Sequence, residues 1–137
     1  MKTLTVVLNI VMLGFTGLVL ATDGVSSEAL YIVFTLLHMA IPLFTLFVLA
    51  RIGAGLGWKS GVLSSRSITL ARAAAVGNIV LLGCFCWAFL DQYPHPKEDG
   101  FVAYVVLSLL TPIVSAVTLF LASRRGERTG AQMNSAA

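Results

Sequence analysis

Four long apolar stretches alternate with short polar segments along the chain. None of them contains Asp, Glu, Lys or Arg, and they cover residues 4–21, 29–50, 73–90 and 101–122. As helices, stretches of 18 or 22 residues extend about 27 or 33 Å, enough to cross a hydrocarbon core of about 30 Å. They lack the apolar–polar alternation of strands in a transmembrane barrel. Within lipid, an α-helix is the other structure in which all backbone N–H and C=O groups form hydrogen bonds, so the four stretches are predicted to be helices.

The composition agrees with this pattern. Hydrophobic residues make up 58% of the chain and charged residues 11%, against about 25% charged in soluble domains. The sequence therefore predicts an all-α integral membrane protein with four transmembrane helices. The first stretch also has the Lys2 start and small-residue end of a signal peptide, but its likeness to the third stretch favours a retained helix.

The charges separate onto two sides of the predicted membrane. One side carries eight of the nine basic residues and a single acid, Glu127, whereas the other carries five acids and Lys97. By the positive-inside rule, both termini and the basic loop are cytoplasmic. Short loops with this bias are typical of a bacterial inner membrane. We interpret the basic balance as a signal of topology and of contact with anionic lipids, and we expect no nucleic-acid partner.

An internal repeat divides the chain into two similar hairpins. Residues 9–14 (NIVMLG) match 78–83 (NIVLLG) at an offset of 69, and residues 45–51 match 118–124 at an offset of 73. We interpret residues 1–51 and 72–124 as a tandem duplication with both copies in the same orientation. A single membrane domain thus covers residues 1–125 with a basic linker over 52–71, and the polar residues 126–137 predict a disordered cytoplasmic tail.

Each hairpin carries one asparagine inside its first helix, Asn9 or Asn78. An amide at this depth is unfavourable against lipid, so both side chains are expected to point into the bundle. They serve either as packing groups that hydrogen-bond across helices or as the lining of a polar path for a solute or ion.

Among Asp, Glu, Lys, Arg and His, His38 is the only residue within the predicted spans, and it lies close to the middle of the second one. Its counterpart in the repeat is Thr111. Such a residue is a functional candidate by its depth alone. Three interpretations stay open: a neutral side chain bonded to a neighbouring helix, a proton-linked or gating group, and a haem ligand that would need a second histidine from another chain.

Small residues and prolines predict how the helices pack. Gly14, Gly17, Gly77 and Gly83 lie in the first and third stretches, and these two helices are expected to form the inner seam of the bundle. Pro42 and Pro112 lie inside the second and fourth stretches and are expected to kink them.

The segment between the third and fourth stretches contains Asp91, His95, Glu98 and Asp99. These side chains could form a labile metal or partner site, but an ordinary solvated loop is the default interpretation. The sequence otherwise contains no metal-ligand spacing and no cofactor motif, so we expect neither a metal nor a cofactor.

Two functional hypotheses remain, and neither is an enzyme. The first is an accessory or assembly subunit that packs its uncharged helices against a larger membrane complex. The second is a small homo-oligomeric transporter or channel in which Asn9, Asn78 and His38 face a shared polar path.

Overall fold

Four long helices make up the described part of the protein. A computed structural model describes residues 1–23, 29–54, 63–92 and 99–135, with side chains described over 1–21, 32–53, 63–87 and 103–132 and at Ser135. The helices are α1 (Lys2–Asp23), α2 (Ala29–Ala54), α3 (Ser65–Gln92) and α4 (Asp99–Ser135). Each is long and apolar enough to cross a membrane. The prediction of an all-α fold with four helices able to span a membrane is therefore confirmed for the described residues.

Neighbouring helices run antiparallel. Thr5 contacts Thr118 and Phe15 stacks on Tyr104, so α1 and α4 run in opposite directions. Contacts of Asn78 with Thr45 and of Phe85 with Phe34 fix the same relation between α3 and α2. Lys2, Arg51, Arg72 and Arg124 thus lie at one end of the bundle, which we call the basic end.

The helices form a ring in which each one packs against two others. The contacting pairs are α1 with α2, α2 with α3, α3 with α4 and α4 with α1. The prediction that α1 and α3 form an inner seam is wrong, since they face each other across the ring. A Cβ atom built at Gly14, Gly17 or Gly83 would meet no heavy atom within 4 Å beyond the adjoining backbone of its own helix.

The basic end contains the main apolar core of the bundle. Leu49, Ala74 and Leu119 are almost fully buried there, together with Val48, Ile52, Ala71 and Ala75. Three of these residues are alanines of α3, which are small enough for α2, α3 and α4 to approach closely. We call this group the apolar cluster.

The composition after Arg125 predicts a disordered tail, whereas α4 continues as a helix to Ser135 in this structure. Gly126 is buried against Leu63, and Glu127 pairs with Arg72 at the start of α3. The polar composition that suggested disorder also includes good helix formers. The predicted linker extends over residues 52–71, whereas α3 begins at Ser65.

We predict that Gly126→Ala destabilises the extension of α4, whereas Gly130→Ala does not. A Cβ atom at position 126 would lie 2.9 Å from Leu63 Cβ, while one at position 130 would meet nothing within 4 Å. Alanine favours a helix over glycine by about 1 kcal/mol, so Gly130→Ala should raise the unfolding midpoint or leave it unchanged. Thermal unfolding in detergent measures both, and a stabilised Gly126→Ala variant would contradict the close contact.

Candidate functional site

The interior of the bundle contains many polar side chains, whereas its exterior is largely apolar. Large apolar side chains are exposed on every helix, including Ile10, Leu36, Ile79 and Leu110. Hydroxyl, amide and imidazole side chains are buried instead: Thr5, Asn9, Thr16, His38, Thr45, Asn78, Ser108, Thr111, Ser115, Thr118 and Ser123. This arrangement suits lipid, in which a polar side chain has to find its partner within the protein.

Asn9 connects α1 to α4. Its side-chain nitrogen donates to the backbone oxygen of Thr5 at 2.7 Å and to Ser115 Oγ at 2.8 Å. Beside it, the hydroxyls of Thr5 and Thr118 lie 2.8 Å apart. Since the Thr5 hydroxyl donates its one proton to the Met1 carbonyl, Thr118 is the donor in that pair.

Asn78 makes the same kind of contact between α3 and α2. Its side-chain nitrogen donates to the backbone oxygen of Ala74 and to Thr45 Oγ1, both at 2.8 Å. Each asparagine therefore bonds its own helix one turn earlier and a hydroxyl group of the other hairpin.

The two asparagines use different hydroxyl groups because the residues at the matching sequence offsets differ. At the repeat offsets, Thr45 corresponds to Thr118 and Ala74 to Thr5. Thr118 is already bonded to Thr5, so Asn9 bonds Ser115 one turn away. Ala74 has no hydroxyl, which leaves Thr45 for Asn78.

Both amide oxygens remain without a partner in this structure. A backbone carbonyl can only accept a hydrogen bond, so the side-chain atom that contacts it in each asparagine must be the amide nitrogen. The amide oxygen Oδ1 therefore lies on the other side of the group. The Oδ1 atoms of Asn9 and Asn78 are fully buried and have no hydrogen-bond partner. A buried unsatisfied polar group costs about 1–3 kcal/mol.

His38 lies among aromatic side chains of three helices. Its Nδ1 is 2.9 Å from the backbone oxygen of Phe34, and since that oxygen accepts, Nδ1 carries the proton. Ring centroids of Phe34, Phe85 and Tyr104 lie 4.2, 6.2 and 6.2 Å from the imidazole. The neutral ring therefore presents Nε2 as an acceptor, and Nε2 is buried without a partner.

The four interior residues singled out from the sequence come from four different helices. Asn9, His38, Asn78 and Thr111 are each no more than 1% exposed, and each has one side-chain atom without a hydrogen-bond partner. We call these four residues the inner polar set. Because they are buried inside one chain, a path that they line would run within a single bundle and not between subunits.

Several polar residues of the interior were missed in the sequence. Ser108 and Ser115 are fully buried, and together with Thr111 and Thr118 they lie at spacings of three, four and three residues along α4. That spacing places all four on one face of a helix. The signal was therefore present, but the third and fourth stretches look apolar when only charge and hydrophobicity are considered.

The second predicted site lies outside the residues whose side chains the structure describes. Its members are Asp91, His95, Glu98 and Asp99. Over the described ranges, no group of three or more His, Cys, Asp or Glu side chains is placed to hold a metal ion. The described interior offers hydrogen-bond acceptors and hydroxyl groups as its chemistry.

We predict that Asn78 and Thr45 are energetically coupled while Asn9 and Thr45 are not. Interhelical hydrogen bonds in membranes average about 0.6 kcal/mol and reach about 1.7 kcal/mol. A double-mutant cycle with Asn78→Leu and Thr45→Val, followed by unfolding in mixed micelles, measures the coupling. The cycle of Asn9→Leu with Thr45→Val is the control, and equal coupling in both cycles would contradict the pairing seen here.

Comparison with family models, with curated proteins and with solved structures finds no match to this chain.

Proposed function

We propose that this protein is a non-catalytic accessory or assembly subunit of a larger membrane complex. The main support is an exposed glycine on the outer surface of each of two helices. Gly14 on α1 and Gly83 on α3 are exposed, and a side-chain carbon at either position would meet no other part of the bundle within 4 Å. Transmembrane helices commonly approach each other closely at such glycines.

The neighbouring side chains support a shallow groove at each glycine. Ile10 and Val11 are exposed on α1, and Ile79 and Val80 are exposed at the corresponding positions on α3. Because glycine has no side chain, the surface next to these exposed residues is lower at Gly14 and at Gly83. A partner helix that fits one groove therefore fits a similar groove on the opposite side of the ring.

The distribution of polar groups favours the same function. The asparagines find their donor contacts inside the chain, and the exposed side chains of the spans are largely apolar. Recognition by a membrane partner then depends on the shape of apolar surfaces. Anionic lipid headgroups are the other expected contact, at the basic end.

We also propose an orientation for the chain in the membrane. We place the basic end in the cytoplasm of a bacterial cell, with the chain in the inner membrane, because Lys2, Arg51, Arg72 and Arg124 share that end of the bundle. Alkaline phosphatase fused after Ala137 tests this orientation, since an active fusion would contradict it. The related contacts of Asn9 and Asn78 support an origin by duplication of one hairpin.

A second candidate function is transport of a solute or ion through a single bundle. The burial of the inner polar set inside one chain favours a path within the bundle. Such a path differs from one that is shared between subunits. Transport within one bundle is also favoured because each of the four helices contributes one residue to the inner polar set.

We predict that Gly14→Leu together with Gly83→Leu separates the protein from its complex without unfolding it. The native mass of the chain, extracted gently from its own membrane, should fall in this variant while its unfolding midpoint is kept, because leucine fills only the outer groove. Ile10→Leu together with Ile79→Leu is the matched control and should keep the full mass. A chain that runs alone or as a homo-oligomer before any substitution would contradict the accessory function.

A further inference from the structure

Five buried side-chain atoms of the described interior have no hydrogen-bond partner. Asn9 Oδ1, Asn78 Oδ1 and His38 Nε2 are buried acceptors without a partner, and the hydroxyls of Ser108 and Thr111 are also unpartnered. At the repeat offsets, Asn9 corresponds to Asn78 and His38 to Thr111. Four of the five unsatisfied groups thus occur in two repeat-related pairs.

The two prolines add further acceptors at the same place. Pro42 has no N–H group, so the carbonyl of His38, four residues earlier, loses its intrahelical donor. Pro112 does the same to the carbonyl of Ser108. Freed carbonyls inside membrane proteins are satisfied by side chains or by ordered water, and these two belong to residues that already have an unpartnered side-chain atom.

The unsatisfied groups are spread along the axis of the bundle. Asn9 lies level with Ser115 through their hydrogen bond, and Thr111 is four residues from Ser115, or about 6 Å along α4. Asn78 lies level with Thr45, and His38 is seven residues from Thr45, or about 10 Å along α2. The distance from the asparagines to the imidazole is therefore much longer than one hydrogen bond.

This spread decides between possible ligands. Metal ions bind their oxygen ligands at about 2.0–2.6 Å, so one ion could not serve groups separated by about 10 Å. Among the described side chains the only carboxylate is Glu127, which pairs with Arg72 at the basic end. A ligand that donates hydrogen bonds, carries no charge and forms chains fits these groups, and water has all three properties.

Both ends of this region are covered by apolar side chains. The apolar cluster lies between the asparagines and the basic end. On the other side, Phe34, Phe85 and Tyr104 surround His38, and Phe15 stacks on Tyr104. Water bound between these two layers would be held away from bulk solvent.

We propose that the inner polar set and Ser108 bind a short chain of water molecules between the two asparagines and His38. Each water donates to one of the unpartnered acceptors, and the hydroxyls of Thr111 and Ser108 continue the chain between the two levels. Buried waters typically make about three such hydrogen bonds. This inference concerns the interior of one chain and goes beyond the accessory function proposed for its outer surface.

Nuclear magnetic resonance of the full chain in lipid bilayers tests the proposal. With 15N-labelled asparagine and histidine, magnetisation should pass from water to the side chains of Asn9, Asn78 and His38, and the His38 Nε2 signal should be that of a hydrogen-bonded acceptor. The methyl groups of Ala71 and Ala74, buried in the apolar cluster, should receive none. Interior side chains as dry as these methyl groups in the folded protein would overturn the proposal.

Two variants distinguish the water chain from general leakage of water into the bundle. Thr111→Val keeps the shape but removes a hydroxyl of the chain, so transfer from water to His38 should be lost. Thr16→Val removes a buried hydroxyl that already bonds the Met12 carbonyl at 2.9 Å, and transfer to His38 should be kept. Equal transfer to His38 in both variants would overturn the role assigned to Thr111.

Discussion

The structure depends on the absence of hydrogen-bonding partners in lipid. A polar side chain that faces the hydrocarbon stays unsatisfied, so the favourable place for it is against another helix. The chain obeys this constraint on all four helices, with amides, hydroxyls and the imidazole inside and large aliphatic side chains outside. Because lipid tails are as apolar as leucine, burial of apolar surface contributes little to specificity here. The polar contacts and close packing select one arrangement of the helices.

The asparagines fix which helices become neighbours. Asn9 joins α1 to α4 and Asn78 joins α3 to α2, so each amide links one hairpin to the other. Contacts within a hairpin follow from the short connection between its helices, but contacts between hairpins need a specific interaction. The apolar cluster and the pairing of Arg72 with Glu127 add to this link at the basic end. The ring therefore closes through contacts between residues far apart in the sequence.

The sequence was sufficient to predict what depends on length and polarity alone. Four spans, their helical state and the inward direction of Asn9 and Asn78 follow from the cost of a polar group in lipid. The partners of these residues could not be predicted, because Ser115 was chosen over Thr118 only through the competing contact with Thr5. The sequence also could not predict whether Gly14 and Gly83 face inward or outward, because a small residue suits a close contact on either side of the bundle. The helix over residues 126–135 was not predicted, because composition does not reveal that Gly126 packs on Leu63.

Buried polar contacts join the two hairpins within one chain, and an engineered disulfide between α1 and α4 can test this contact in native membranes. In a chain with Cys84→Ala and Cys86→Ala, we would introduce Thr5→Cys and Thr118→Cys, whose hydroxyls lie 2.8 Å apart, and a protease site in the linker between the hairpins. After oxidation in native membranes and cleavage, the two halves should stay joined until reductant is added. The pair Thr16→Cys and Thr118→Cys, displaced by about 16 Å along α1, should not join them. Halves that separate without reductant, or disulfides that form between chains, would contradict the account.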